Sequence, residues 1–348
     1  MPAAGRVLTA RELNRALLAR QLLLERARTP IARTLERMGG LQAQYAPSMY
    51  IGLWSRMEGF ERDDLTRALE RRSVVQATLM RATIHLVSRA DYWPFEVGVK
   101  RARADWTRRV ATYGAPPAKL RAAASKLRRA LDGGSLQRKE IEELLGKEMA
   151  RGVGMALDLV RVPPAGTWER RRADLYAAAE DWLGPPPGGL TEEAGIELLV
   201  RRYLGAFGPS TRVEVADWAG LPVALVEPPL ARIATRRFRA EDGAELVDLP
   251  RAPLPDPDTP APVRFLPTWD AALLAHARRS GILPEEHRSR IFNTKMPQSI
   301  GTFLVDGSVA GTWKLDGGRI RTEPFEKLDR GTRRELDAEA ERLADFHG

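Results

Sequence analysis

Gly39-Gly40-Leu41-Gln42-Ala43-Gln44 is the stretch on which the reading of this chain turns. Two adjacent glycines end a helical run, because a glycine at a helix C-terminus takes the left-handed conformation at no steric cost. Pro47 follows shortly after and favours the start of another helix. Between these breaks the backbone is expected to be extended or turning, and residues two apart in extended chain point to one side. Gln42 and Gln44 would then offer two neutral amides to a single small polar target. The plainer reading is that they only cap the backbone of the Gly39-Gly40 break.

Downstream, Leu79-Met80-Arg81-Ala82-Thr83-Ile84-His85-Leu86 alternates as a strand does and places Arg81, Thr83 and His85 on one face. It forms a hairpin of Val74 to Leu79 and Ala82 to Val87. Ahead of it lie helical periodicities: Leu13, Leu17, Leu18 and Leu22, then Ile31, Leu35 and Met38 after Pro30, a third after Pro47, and Leu65 to Leu69. Helices followed by a hairpin are what a winged helix requires. This first unit spans 1–117.

The same plan recurs in 118–188. A helix from Pro117 to Leu131 stops at Asp132-Gly133-Gly134, and Ser135 offers an N-cap for a helix through Ile141, Leu144 and Leu145. Leu157 to Val162 reads as a strand, Pro163-Pro164-Ala165-Gly166 turns the chain, and Thr167-Trp168 begins the return. Arg170-Arg171-Arg172 follows this second wing, either to meet phosphates or as a solvated charge run. After the linker Pro185-Pro186-Pro187-Gly188-Gly189, the unit 189–250 opens with a helix capped by Thr191. A helix–turn–helix around Gly220-Leu221-Pro222 comes next, and a third hairpin turns at Asp242-Gly243. A Pro-rich connector then leads to 263–348. Here Asp306-Gly307 and Asp316-Gly317-Gly318 mark the turns of an antiparallel sheet or barrel, before a closing helix from Lys327 to Phe346 to which no function is assigned. The expected fold class is α+β, with three tandem winged-helix motifs and a C-terminal antiparallel β-subdomain.

Composition narrows the partners. The 348 residues suffice for two or three domains, and the net charge of +9 points to a polyanion or a charged membrane surface. Only 8 of the 55 basic residues are Lys, but a GC-rich genome produces the same bias, so the ratio carries no functional weight. With no Cys, disulfides, thiolate metal sites and a cysteine nucleophile are excluded. The four histidines argue against zinc, since neither His276 nor His287 has a carboxylate at metal-ligand spacing; no metal or other cofactor is expected. No apolar window approaches the length of a membrane span and the N-terminus lacks a basic region followed by an apolar core, so a cytoplasmic protein is expected.

Taken together, the motifs resemble the winged-helix DNA glycosylases of the AlkZ/YcaQ type over nearly the whole chain. Besides Leu41-Gln42-Ala43-Gln44 and the Leu79–His85 stretch, the resemblance rests on Val162-Pro163-Pro164-Ala165-Gly166-Thr167-Trp168, Phe207-Gly208-Pro209-Ser210-Thr211, and Asp217-Trp218-Ala219-Gly220-Leu221. Leu266-Pro267-Thr268-Trp269-Asp270-Ala271-Ala272-Leu273-Leu274 and Asp306-Gly307-Ser308-Val309-Ala310-Gly311-Thr312-Trp313 belong to the same set. Glutamine as the third residue of the catalytic triplet, where the other branch has aspartate, is similar to the AlkZ-like branch. Arg278 departs from relatives that carry an acidic residue there.

The resemblance implies a monofunctional glycosylase that excises cationic N7-alkylated purines from double-stranded DNA and unhooks bulky adducts or interstrand crosslinks. Gln42 and Gln44 would be catalytic, orienting one water against the anomeric carbon. Arg81 would neutralise the DNA backbone, and Thr83 and His85 would be further DNA contacts, His85 toward a phosphate or the flipped residue. For His85 the plain alternative is a structural hydrogen bond. The protein would act as a monomer with no protein partner. The competing reading is a winged-helix DNA-binding protein that hydrolyses nothing, either a transcriptional regulator or one that sequesters damage; a regulator would usually dimerise on a palindrome and has no need of paired amides.

Overall fold

Thr9 starts the first helix for a reason legible in its neighbours. Its hydroxyl accepts from the Glu12 amide while the Glu12 carboxylate takes the Thr9 amide, a reciprocal cap that fixes the helix start. Preceded by β1 (Val7–Leu8), this helix is α1 (Ala10–Arg20). α2 (Ile31–Met38) follows Pro30 and closes at Gly39, whose φ of +74° is the left-handed cap that the paired glycines announce. β2 (Leu41–Gln42), α3 (Ala46–Trp54), α4 (Arg62–Glu70), β3 (Val74–Thr78), β4 (Ile84–Ser88) and α5 (Arg89–Arg109) complete the first region. The computed structural model describes residues 6–109, 116–274, 281–293 and 296–348; His276 and Arg278 lie outside them.

The second region holds α6 (Pro117–Leu131), β5 (Ser135–Gln137), α7 (Arg138–Leu145), α8 (Lys147–Gly152), β6 (Leu159–Arg161), β7 (Leu175–Ala178) and α9 (Ala179–Leu183). Two expectations are corrected here. Ser135 opens a strand, and the helix is capped instead by Gln137 in a box with Glu140. The return strand starts at Leu175 and not at Thr167-Trp168, which sit in a long turn where Trp168 is buried. α10 (Glu192–Phe207), capped by Thr191, then runs to α11 (Arg212–Ala219), α12 (Val223–Arg232) and the hairpin of β8 (Arg236–Ala240) with β9 (Glu245–Asp248). The last region comprises β10 (Arg264–Leu266), α13 (Ala271–Leu274), α14 (Glu285–Ile291), β11 (Phe292–Asn293), β12 (Met296–Ser299), β13 (Thr302–Val305), β14 (Ser308–Asp316), β15 (Arg319–Pro324) and α15 (Arg330–His347).

Strand pairing joins what the sequence divides. Apart from β1, the strands of the first two regions form one six-stranded sheet, ordered β2-β4-β3-β6-β7-β5, so the β3–β4 and β6–β7 hairpins share a ladder through Gln76–Arg161 and Ala77–Val160. β1 pairs in parallel with β8, binding the N-terminus to the third hairpin. The C-terminal strands form an open sheet, β10-β13-β14-β15, not a barrel.

The β2-β4-β3 part of the six-stranded sheet is buried on both faces, which accounts for its weak polar alternation. Val75, Ala77, Val87 and Val160 face a core completed by α5 and α10, whereas Leu41, Val74 and Leu86 face a second core built with α2, α3, α4 and α15. Buried ion pairs fasten the outer elements: Arg20 of α1 grips Asp248 of β9 at 2.6 Å, and Arg56 after α3 holds Asp270 at 2.8 Å, all four side chains fully buried.

Candidate active site and nucleic-acid interface

β2 and β4 bring the two motifs into direct register. Leu41 pairs with Leu86 and Gln42 with His85 in an antiparallel ladder, and Ala43 N–H donates to the Ile84 carbonyl at 2.7 Å. Because bonded and non-bonded pairs alternate along such a ladder, Gln42 and His85 form the close, non-bonded pair, with side chains on one face. The row continues through Ala77, Val160 and Ala177, so Gln42 and His85 are the polar end of an apolar line across the sheet.

The returning bond of the ladder is made by a side chain. Ile84 N–H donates to Gln44 Oε1 at 2.9 Å, which ends β2 and fixes the Gln44 amide in orientation, its NH2 group having no partner among the described residues. Gln42 is only 7 % exposed, yet its amide makes no hydrogen bond to any described residue; Gln44 is open to solvent. One glutamine is thus recessed and the other sits at the rim.

His85 is 3 % exposed, and its Nδ1 lies 3.0 Å from the Thr83 carbonyl. A carbonyl only accepts, which assigns the proton to Nδ1 and leaves Nε2 a bare acceptor. Burial above all, with the nearby Arg81 charge, pushes the His85 pKa down to about 3, so the ring is neutral at physiological pH. The structural hydrogen bond weighed for this histidine is present, and it sets the tautomer.

Arg81 and Thr83 are placed otherwise than a continuous strand demands. Met80–Ala82 form a single 3-10 turn in which Arg81 and Ala82 take φ of 51° and 55°, so the strand face shared by Arg81, Thr83 and His85 does not form. The Arg81 guanidinium turns inward to the Trp218 carbonyl, and burial brings its pKa to about 10. Thr83 Oγ1 closes the turn on the Met80 carbonyl at 3.1 Å. A cavity of about 520 Å³ opens beside Arg81 toward Val99 and Pro222, and neither glutamine lines it.

Arg170, Arg171 and Arg172 lie in the turn between β6 and β7. Arg170 is 3.5 Å and Arg172 3.8 Å from Asp174, and Arg172 is almost fully exposed. Arg171 donates to the Tyr45 hydroxyl at 3.2 Å, which joins the basic turn to the residue after Gln44. Tyr45, the N-cap residue of α3 and 42 % exposed, escapes the sequence reading because only its hydrogen bond across the fold marks it. One further expectation needs correction: His287 does meet carboxylates, for Glu286, His287 and Glu326 hold their donor atoms within 4.8 Å of one another. This exposed group lies apart from the glutamine motif in the sequence.

A family model described as DNA glycosylase AlkZ-like matches residues 35–346. The chain belongs to the AlkZ-like DNA glycosylase family. A Streptomyces sahachiroi protein described as an interstrand DNA cross-link repair glycosylase is 23 % identical over 363 residues, 94 % of either chain. Among solved structures, Streptomyces sahachiroi DNA glycosylase AlkZ superposes with a TM-score of 0.82 at 19 % identity, covering 98 % of this chain and 97 % of that one. At that identity the likeness is one of fold. As an AlkZ-like glycosylase this chain is an enzyme that acts on N-glycosyl bonds. No helix among its described residues is long and apolar enough to cross a membrane.

Proposed function

We propose that this chain is a monofunctional DNA glycosylase that releases cationic N7-alkylated purines from duplex DNA, with Gln42 and Gln44 orienting the hydrolytic water. The observation that carries this reading is the Gln42–His85 cross-strand pair beside an amide locked by Ile84 N–H. It supplies a recessed amide, a neutral imidazole acceptor and a fixed rim amide, and among the described residues no carboxylate bonds to any of the three. An N7-alkylated guanine departs as a neutral base, so the sugar needs only a water held against the oxocarbenium-like carbon. Positioning supplies that without a strong general base. The neutral His85 Nε2 accepts a hydrogen bond; with a pKa of about 3 it is a poor proton acceptor.

The duplex is held by Arg170, Arg171 and Arg172 and by the helix–hairpin units, read as three wings, while Arg81 and Thr83 shape the turn that presents His85. No lysine occurs before Lys100, and Lys100 is paired with Asp158, which supports base release without Schiff-base strand cleavage. The name of the Streptomyces sahachiroi relative supports crosslinked duplex as a further substrate. The test is incubation of N7-methylguanine DNA with wild type, Gln42→Ala and Gln44→Ala. Wild type should generate abasic sites that break only on added base, and both variants should lose this; nicking by wild type alone, or equal release by the variants, overturns the proposal.

A further inference from the structure

Trp269 stands out among the described tryptophans. Trp93 and Trp313 donate their indole N–H to Gly184 and Leu266 carbonyls, and Trp54, Trp168, Trp182 and Trp218 are packed against rings or guanidinium groups. The half-buried Trp269 ring has no ring, cation or hydrogen-bond partner among the described residues. Its backbone takes a φ of 62°, a left-handed conformation that a bulky residue adopts only where its surroundings enforce it.

They enforce it from both sides. Thr268 Oγ1 meets Ser48 Oγ at 2.7 Å, Trp269 N–H donates to Ser299 Oγ at 3.1 Å, and the next residue, Asp270, is locked in the buried pair with Arg56. These anchors fix where the ring stands. Ser48 is in the first turn of α3, which the exposed Tyr45 begins directly after Gln44. Ser299 is followed by Ile300, 41 % exposed. Exposed Tyr45 thus precedes the anchor Ser48 by three residues, exposed Ile300 directly follows the anchor Ser299, and Arg171 donates to the Tyr45 hydroxyl.

We propose that Trp269, bordered by Tyr45 and Ile300, is a nucleobase-contacting residue, its indole packing against an unstacked base of the duplex next to the lesion held at Gln44. Two observations favour nucleic acid as the occupant: Tyr45 directly follows Gln44 in the chain, and the Arg171 guanidinium on the Tyr45 hydroxyl suits a polyanion whose bases offer flat apolar faces. A strained tryptophan whose ring has no ring, cation or hydrogen-bond partner among the described residues fits a ring kept in place for an external one. This rests on reading Gln42 and Gln44 as the site of base release.

The experiment uses the full chain and a duplex carrying N7-methylguanine next to 2-aminopurine. Wild type should unstack the reporter and brighten it, and Trp269→Ala should abolish that signal and slow excision about tenfold or more. Trp269→Phe should restore most of both. Trp269→Gly relieves the left-handed strain, so it should melt no lower than Trp269→Ala while losing equal activity; activity that instead followed the melting temperature across the two variants would mark the tryptophan as merely structural and overturn the proposal. Unchanged reporter signal and kinetics in Trp269→Ala, with wild type active, would overturn this proposal alone. Failure of wild type to release the base would instead overturn the glycosylase reading on which it rests.

Discussion

Gln44 completes the β2–β4 ladder with its side chain: Oε1 takes the Ile84 amide at 2.9 Å, where a backbone carbonyl would ordinarily sit. The rim glutamine is therefore both a strand terminator and a catalytic candidate, and the two roles separate by substitution. Gln44→Glu keeps an acceptor for Ile84 and should leave the melting temperature nearly unchanged, whereas Gln44→Ala should cost about 1 kcal/mol. Excision by Gln44→Ala should fall about 100-fold or more, far beyond what that loss of stability explains at room temperature. Calorimetry and single-turnover base release on the same preparations decide it.

His85 gives a pH signature with a definite sign. Its folded pKa of about 3 lies below the unfolded value of 6.5, so acid favours the unfolded chain, which binds the proton more readily. Stability from this group is complete above pH 6.5 and is lost as pH falls from there toward 3, by several kcal/mol at the lower end. Replacing His85 with Gln should flatten that part of the stability profile, measured by urea unfolding between pH 7 and pH 4. A profile as steep as that of wild type would show that His85 is not the group responsible.

The arginine turn is tested by salt. If Arg170, Arg171 and Arg172 each meet a phosphate, single Ala variants should weaken binding to undamaged and damaged duplex alike and reduce the slope of log K against log salt by about one each. Arg172, almost fully exposed, is the cleanest probe. An Arg172→Ala slope equal to that of wild type would return this run to ordinary solvated surface.

The Arg56–Asp270 pair is fully buried, so removing one partner leaves an uncompensated charge in the interior. Asp270→Ala should cost about 3–5 kcal/mol in chemical denaturation, and Arg56→Met with Asp270→Leu together should recover most of it.

Gly40 has a φ of +82°, and a Cβ there would stand 3.0 Å from the Leu86 carbonyl and from Val87 Cγ1. Gly40→Ala should push β2 away from β4, lowering both the melting temperature and excision. Gly133→Ala, at φ +65° with nothing within 4 Å, should cost stability without touching activity.

What the sequence discloses depends on whether the cause is local. Caps and turns are local chemistry, so Thr191, Gly39 and Asp306-Gly307 mark their elements where the structure has them. Pro117–Leu131 emerges with the bounds that its periodicity and glycine stop predict. Pairing partners are not local: nothing in Val160 or Ala77 announces that the two hairpins share a sheet, and Val7–Leu8 is too short to declare its parallel partner. Arg81 was misplaced because a left-handed turn at two non-glycine residues violates the propensities on which an alternation argument rests. The two motifs that carry Gln42, Gln44 and His85 stand out in the sequence by spacing and resemblance, but their pairing in one ladder, the Tyr45–Arg171 bond and the Trp269 backbone depend on tertiary contacts.

The shared six-stranded sheet carries a mechanical consequence. The glutamines on its β2 edge and the arginine turn between β6 and β7 are fixed to one hydrogen-bonded plate with a core on either face, so they cannot close on a helix of DNA like two jaws. On the proposed reading, in which both meet the duplex, a stiff template leaves accommodation to the softer body: the double helix would have to bend, and lesions that already weaken its stacking would reach the template at the least elastic cost.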